Sequence, residues 1–255
     1  MFALRHSARV LLKSGKQGHF GARYASGFVS GVNAAVASLP MREAVRYTKD
    51  NVKVTAEQFN KYAESHANAL CEWGLAPGNE IAVWMTESME KHVTLLAAAK
   101  IGLKVVDLDM AIESKEDLRA ALDIMKDCKS IIFDPVTETS DNLRLLRASI
   151  PELFEYDDTM GQPFHSKYYP SLKFFIHTGF DIEVGALNYK NCFVPDCVTD
   201  HIGAADVQDS TPLYSSITKS ESGITRSKVA THKDALGLPS FAFAKNLIDK
   251  KYFEL

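Results

Sequence analysis

Three of the eight histidines, one adjacent pair of serines, two aspartates and the four cysteines are the first candidates for chemistry in this chain. His177, His201 and His232 are too scattered for the i, i+4 spacing that aims two ligands from one helix face, and no Glu recurs beside them. They read as satisfied or exposed histidines. Ser215 and Ser216 have nucleophile hydroxyls, but no Gly-x-Ser-x-Gly elbow surrounds them. Asp107 and Asp109 fall at the end of an expected strand, where open α/β sheets bind ligands; capping of that strand end is the plainer role. Cys71, Cys128, Cys192 and Cys197 are too few for a disulfide scaffold in 255 residues. Four residues separate Cys192 from Cys197 and no nearby pair completes a zinc site, so all four read as buried thiols. No metal is expected.

The elements that must position these residues can be placed from local signals. Thr55-Ala56-Glu57-Gln58 fits a capping box, and Phe59, Tyr62, Ala63, Ala67, Leu70 and Cys71 follow at helical spacing. Gly74 can close that helix, and Ala76-Pro77-Gly78-Asn79 has the make-up of a type II turn. Ile81, Val83 and Met85 predict a strand. Ser88 can cap a helix with Val93, Leu96, Ala97 and the stem of Lys100 inward, ended by Gly102. Val105, Val106 and Leu108 predict a second strand. Ser114 opens a helix with Leu118, Ala121, Leu122 and Met125 inward. Ile131, Ile132 and Phe133 predict a third strand, stopped by Asp134-Pro135; residues 141–149 predict a helix ended by Pro151. Tyr156 to Pro170 reads as irregular, and Phe174, Phe175 and Ile176 as a fourth strand. The clustered Tyr168, Tyr169, Phe174 and Phe175 suit a core or an interface. Strand and helix alternate, which predicts an α/β fold with a mainly parallel sheet flanked by helices.

Composition bounds the partners. Apolar residues make up 46% and charged residues 24%, a globular balance, and the net charge of −3 gives no general basic field for nucleic acid. No apolar run reaches the ~20 residues of a membrane span; the longest, Leu95 to Leu108, is broken by Lys100, Gly102, Lys104 and Asp107. The charge is unevenly placed. No acid precedes Glu43, while Arg5, Arg9, Lys13 and Lys16 would share one helix face. This is the make-up of a mitochondrial transit peptide, and Arg23-Tyr24-Ala25-Ser26 resembles its processing site. Without residues 1–25 the net charge would be −8. The expected organisation is a transit peptide or retained basic arm at 1–25, a linker or short docking segment at 26–40, an α/β domain at 41–240, and an apolar docking tail at 241–255.

Ala44 to Pro135 resembles the amino-terminal region of adenylate-forming enzymes, the acyl-CoA synthetase and luciferase superfamily. The likeness runs through Val54-Thr55-Ala56-Glu57-Gln58-Phe59, Trp73-Gly74-Leu75-Ala76-Pro77-Gly78-Asn79-Glu80-Ile81-Ala82-Val83, Leu95-Leu96-Ala97-Ala98-Ala99-Lys100-Ile101-Gly102 and Val106-Asp107-Leu108-Asp109. Ile176-His177-Thr178-Gly179-Phe180 and Gly185-Ala186-Leu187-Asn188-Tyr189 continue it. The resemblance implies the amino-terminal subdomain fold of acyl-CoA synthetases. It also implies a phosphate-gripping loop, written in the family as Ser-Gly-Thr-Thr-Gly-x-Pro-Lys-Gly and then Thr-His, whose glycines admit triphosphate to backbone amides.

The matching segment here runs from Leu213 to His232. Tyr214-Ser215-Ser216 match one flank and Thr231-His232 the other, while the middle, which holds Thr218, does not match. Between them Ile217 replaces the first glycine, Gly223 is the surviving one, Thr225 adds a hydroxyl, and either Arg226 or Lys228 takes the place of the family Lys. Glu221 brings a carboxylate toward the phosphates. Like charges ~4 Å apart repel by ~1 kcal/mol in water and ~4 at a dielectric of 20. A β-branched Ile also bars close backbone approach. The loop is therefore expected to be vestigial, with no cofactor and no catalytic residue. The chain also ends before the family's ribose-binding acid, acyl pocket and mobile domain.

These readings favour a pseudoenzyme, a non-catalytic accessory subunit of a large mitochondrial assembly such as the ATP synthase or a respiratory complex. Its partners would be other subunits at the inner membrane or in the matrix, with lipid contact open and no transmembrane segment. Two alternatives stand beside it: a matrix protein binding acyl-CoA, a carboxylate or a nucleotide, and one half of a split adenylate-forming enzyme.

Overall fold

Ser26 caps the first helix, α1 (Gly27–Ser38), by accepting from the Val29 amide. The computed structural model describes residues 25–49, 51–156 and 163–255. All but Ala25 of the expected arm at 1–25 lies outside them, as does part of the irregular stretch after Tyr156. Residues 26–40 are not a linker. Phe28, Val29, Val32, Ala35 and Val36 recur at helical spacing and are buried in the main core. Their glycines and β-branched side chains have low helix propensity, so burial must hold what local preference would not.

The chain then forms β1 (Glu43–Tyr47), β2 (Val52–Thr55), α2 (Ala56–Glu72), β3 (Glu80–Trp84), α3 (Met89–Ile101), β4 (Lys104–Leu108), α4 (Lys115–Ile124), β5 (Cys128–Phe133) and α5 (Asn142–Ser149). It continues through β6 (Phe174–His177), β7 (Leu187–Asn188), a short α6 (His201–Ala204), β8 (Pro212–Ser220), β9 (Gly223–Arg226), β10 (Ala230–Thr231), α7 (Ala242–Ile248) and β11 (Phe253–Glu254). The caps read from sequence are present. Thr55 and Gln58 form the capping box, Ser88 and Ser114 cap α3 and α4, and Gly102 closes α3 at φ 69°.

The main sheet has the order β10-β8-β4-β3-β5-β6-β7, with β9 paired to β8. Strands β8 to β7 along this path are parallel; β9 and β10 run antiparallel to β8. Strand β3 sits between β4 and β5 and is buried throughout. Ile81 and Val83 enter one core with α1, α2, α3 and α7; Ala82 and Trp84 enter the other with α4 and α5. The period of two thus sends alternate side chains of one strand into two cores, giving the three layers expected. Helix α3 departs from the one-faced reading. Every residue from Lys91 to Ile101 is buried, because α2 packs along the side turned away from the sheet, with Asn33 of α1, Phe243 of α7 and Tyr189 closing over its ends.

A second sheet, β11-β1-β2, joins the two ends of the described chain. This corrects the expectation of a docking tail at 241–255. Phe241, Phe243, Ala244 and Leu247 lie in the protein's own core. Phe243 stacks on His92 at 4.5 Å and meets Phe59 edge-on at 5.4 Å. Strand β11 lies parallel to β1, with Thr48 donating to the Leu255 carbonyl at 2.8 Å and Leu255 donating to that of Arg46 at 3.0 Å. No helix among the described residues is long and apolar enough to cross a membrane.

Candidate functional site

The Leu213–His232 segment is a β-hairpin followed by a short strand rather than an open loop. Thr218 pairs with Thr225 and Ser220 with Gly223, leaving Glu221 and Ser222 at an exposed turn. Gly223 has φ 112°, which only glycine adopts without strain, so its demand comes from the turn itself. Ile217 pairs with Leu108 of β4 and with Arg226, and is wholly buried. An apolar strand residue occupies the place where the resemblance requires a flexible one.

Each polar candidate already has a partner or faces solvent. Arg226 forks onto Glu80 at the start of β3, its Nη2 donating at 2.6 Å and its Nη1 at 3.3 Å, while its Nε donates to Ser215 Oγ at 3.1 Å. Glu80 is 6% exposed at its side chain and Arg226 23%. The Glu80 charge is felt nearby: the Cys128 thiol is pushed up to about 12, by burial first and by Glu80 next. The Ser216 amide donates to Ser227 Oγ at 2.9 Å. Thr218 and Thr225 face each other, exposed, at 3.5 Å. Lys228 is exposed. Thr231 donates to Asp234 from its amide and its hydroxyl, capping the next turn. His232 is buried, and its Nδ1 lies 2.9 Å from Ser26 Oγ. Burial lowers its pKa to about 4, so the ring is neutral. The ten candidates are neighbours in the hairpin and its exit, but they bond into the fold, pair with one another or face solvent, and do not converge on a common point.

Tyr214 leads to a network that sequence reading missed. Its hydroxyl donates to Asp107 Oδ2 at 2.8 Å and lies 2.8 Å from Ser240 Oγ. Asp107 accepts from Lys91 Nζ at 3.1 Å, and the same ammonium meets Glu87 at 2.8 Å. Glu87 Oε2 lies 2.9 Å from His92 Nε2, and His92 Nδ1 lies 2.8 Å from the Tyr47 hydroxyl. A carboxylate only accepts, so Nε2 donates; in the neutral ring, Nδ1 then accepts from Tyr47. The chain of contacts links β1, α3, β4, β8 and the turn before α7 at the carboxyl end of the sheet. Asp107 thus ties elements together through side chains, whereas Asp109 does the capping, accepting from the Ala111 amide at 3.0 Å and the Lys219 amide at 3.1 Å. Burial raises its carboxyl pKa against the pull of Lys91 and Tyr214. Burial would lower the Lys91 ammonium, but Asp107 and Glu87 outweigh it and raise its pKa. The one sequence signal for this network was Glu87 and Lys91 at i, i+4.

Glu87 carries a pH dependence. Burial would raise its carboxyl, but the His92 hydrogen bond and the Lys91 charge hold it at about 2, against an ordinary 4.5. A depressed folded-state value stabilises the fold above the ordinary value, and that contribution is lost as pH falls through the folded one. The side chain is 46% exposed, so solvent screening limits the effect to ~1 kcal/mol. Urea midpoints taken between about pH 5 and pH 2 should fall more steeply for the wild type than for Glu87→Gln. Equal slopes would remove Glu87 from the network.

Two clefts flank these residues. One of about 420 Å3 lies at the carboxyl ends of β5 and β6, walled by Pro135, Arg144, Arg147, Phe154, His177 and Phe180. The other, about 320 Å3, lies between α2 and α3, lined by Tyr62, Met89, Val93, Tyr189, Phe193 and Pro195. Val136, Phe154, Phe180, Ile182 and Val184 are all more than half exposed, and three of them line the first cleft.

The AMP-binding enzyme family model matches residues 32–149. The Bacillus subtilis (strain 168) acyl-CoA synthetase candidate YngI is 31% identical over 140 residues, 55% of this chain and 25% of that protein. The bovine mitochondrial medium-chain acyl-CoA ligase ACSF2 is 26% identical over 138 residues, 54% of this chain and 22% of that protein. The match thus spans about a quarter of these relatives' length. Among solved structures, the luciferase-like enzyme of the mealworm Zophobas morio superposes at TM-score 0.66 with 14% identity, over 97% of this chain and 57% of that one. The inhibitor-bound amino-terminal domain of FACL13 from Mycobacterium tuberculosis gives 0.65 with 15% identity, over 90% and 56%. Over residues 32–149 the chain is similar in sequence to AMP-binding enzymes, and over most of its length it shares the fold of the amino-terminal part of acyl-CoA synthetase-like structures.

Proposed function

We propose that this protein is a non-catalytic accessory subunit of a mitochondrial assembly, built on an adenylate-forming scaffold. The observation that carries the reading is the commitment of Arg226. Arg226, one of the two cations that can stand in the place of the family's phosphate-binding Lys, is bonded through all three of its nitrogens, to a buried carboxylate and to Ser215, while the other, Lys228, is exposed outside the hairpin. Moving it onto a triphosphate would strand Glu80 without a partner, at a cost of about 3–5 kcal/mol. Ile217 and the closed hairpin leave the backbone amides of β8 occupied by β4, β9 and Ser227. The exposed ridge of Phe180, Ile182 and Val184 supports a protein partner, since apolar surface in one patch favours cover. The acid-free basic arm and the mitochondrial name of the ACSF2 relatives support the compartment.

The native size of the protein in a mild detergent extract of mitochondria tests this. Migration with a multi-subunit assembly, far above the size of one chain, is the expected result. A soluble monomer would sink the reading. The exposed ridge also suits a partner that completes a split adenylate-forming enzyme. ATP–pyrophosphate exchange by that assembly, lost when this chain is removed, would select the split enzyme instead.

A further inference from the structure

We propose that Glu72, Cys197 and His201 form a zinc(II) site, distinct from the hairpin and from both clefts. Glu72 is the last residue of α2, His201 the first of α6, and Cys197 lies in the loop between Val194 and α6. Glu72 Oε1 lies 2.7 Å from His201 Nε2 and accepts from Cys197 Sγ at 3.0 Å. The three candidate ligand atoms all lie within 4.8 Å of one another. A tetrahedral zinc ion with bonds of about 2.0–2.3 Å needs its ligand atoms roughly 3.3–3.8 Å apart. The cluster is already near that size, so the metal requires an opening of less than about 1 Å along its two short contacts.

The donor set selects the ion. A thiolate, an imidazole and one carboxylate oxygen suit zinc, whereas magnesium and calcium take oxygen ligands. In the metal-free protein, protons hold the three groups together through Glu72. On binding, the Cys197 thiol proton goes to solvent and the sulfur lone pair bonds the metal. The His201 ring coordinates as the neutral imidazole through Nε2, with its one proton on Nδ1: a ring protonated at both nitrogens releases the Nε2 proton to solvent, and a ring protonated at Nε2 alone loses that proton to solvent and takes one from solvent at Nδ1. Three protein donors leave a fourth position for water. The half-exposed side chains give the ion a path in, with His201 21% and Glu72 47% exposed.

Cys197 and His201 are four positions apart in sequence, but Glu72 stands 125 positions before Cys197, so the third ligand appears only on folding. The bound ion would fix the loop to α2, where the Val194 amide already donates to the Ser65 carbonyl at 2.9 Å. Phe193 and Pro195 of that loop wall the cleft between α2 and α3, so zinc would hold one of its sides in place.

The test uses the untagged full-length chain, stripped by chelator and titrated with zinc, and in parallel with cobalt(II). One equivalent of zinc should bind, and cobalt should give a thiolate charge-transfer band in the near ultraviolet. Cys197→Ser should abolish the band and weaken zinc at least about a hundredfold, beyond what loss of an outer-shell partner costs. Glu72→Gln, which keeps shape and hydrogen bonding at an exposed site, should weaken zinc while melting like the wild type. Absence of a saturable equivalent in the wild type would overturn the site. So would a band and affinity unchanged in both variants.

Discussion

Removing residues 241–255 should leave a chain that does not reach a cooperatively folded state. The deletion strips Phe241, Phe243, Ala244 and Leu247 from the core that α1, α2 and α3 share, and it removes β11 from its ladder with β1. A single buried Phe→Ala costs about 3–5 kcal/mol, and whole domains are stable by about 5–15. Several such losses together exceed what a domain can spare. Phe243→Ala gives the graded version. It loses the stack on His92 and the edge contacts with Phe59, and should fold with stability lower by about 3–5 kcal/mol in urea titration. A truncated chain that melts like the full one would restore the tail as a detachable docking arm and contradict the core described above.

Arg226→Ala should destabilise the fold by about 3 kcal/mol, the lower end for a broken buried pair because the guanidinium is partly exposed. The cost comes from the partner. Glu80 stays buried at the start of β3, with no cation and little water. Replacing both groups together, Glu80→Leu with Arg226→Met, should recover most of the loss, since apolar residues of similar volume can stand in for an ion pair. Recovery by the double variant separates a structural pair from a general intolerance of change at Arg226. A double variant no better than the single one would mean that Ser215 and the hairpin, rather than Glu80, set the cost.

The parts of this structure legible in the sequence are the local ones. The capping box at Thr55 and Gln58, the caps at Ser88 and Ser114 and the left-handed close at Gly102 each depend on residues within a turn or two, and each is present. The apolar runs of β3, β4 and β5 needed no more than their own composition. What failed depended on distant partners. Helix α1 is rich in glycine and valine and is held by contacts with α7, more than 200 residues away in sequence; Gly31 lies against Ile248. The tail looked like an exposed docking segment because its cover, Phe59 and His92, is unreadable from its own residues. The hairpin gives the sharpest case. Its residues could be aligned with a phosphate-binding pattern, but Glu80, which claims Arg226, stands 146 positions earlier. No local spacing pairs them.

Titration of MgATP into the purified wild-type chain, followed by calorimetry, tests most directly whether the hairpin has given up the phosphate grip. The closed hairpin should show no saturable binding tighter than ~1 mM, a free energy weaker than about −4 kcal/mol. Micromolar, saturable binding that Arg226→Ala abolishes in a still-folded protein would contradict it.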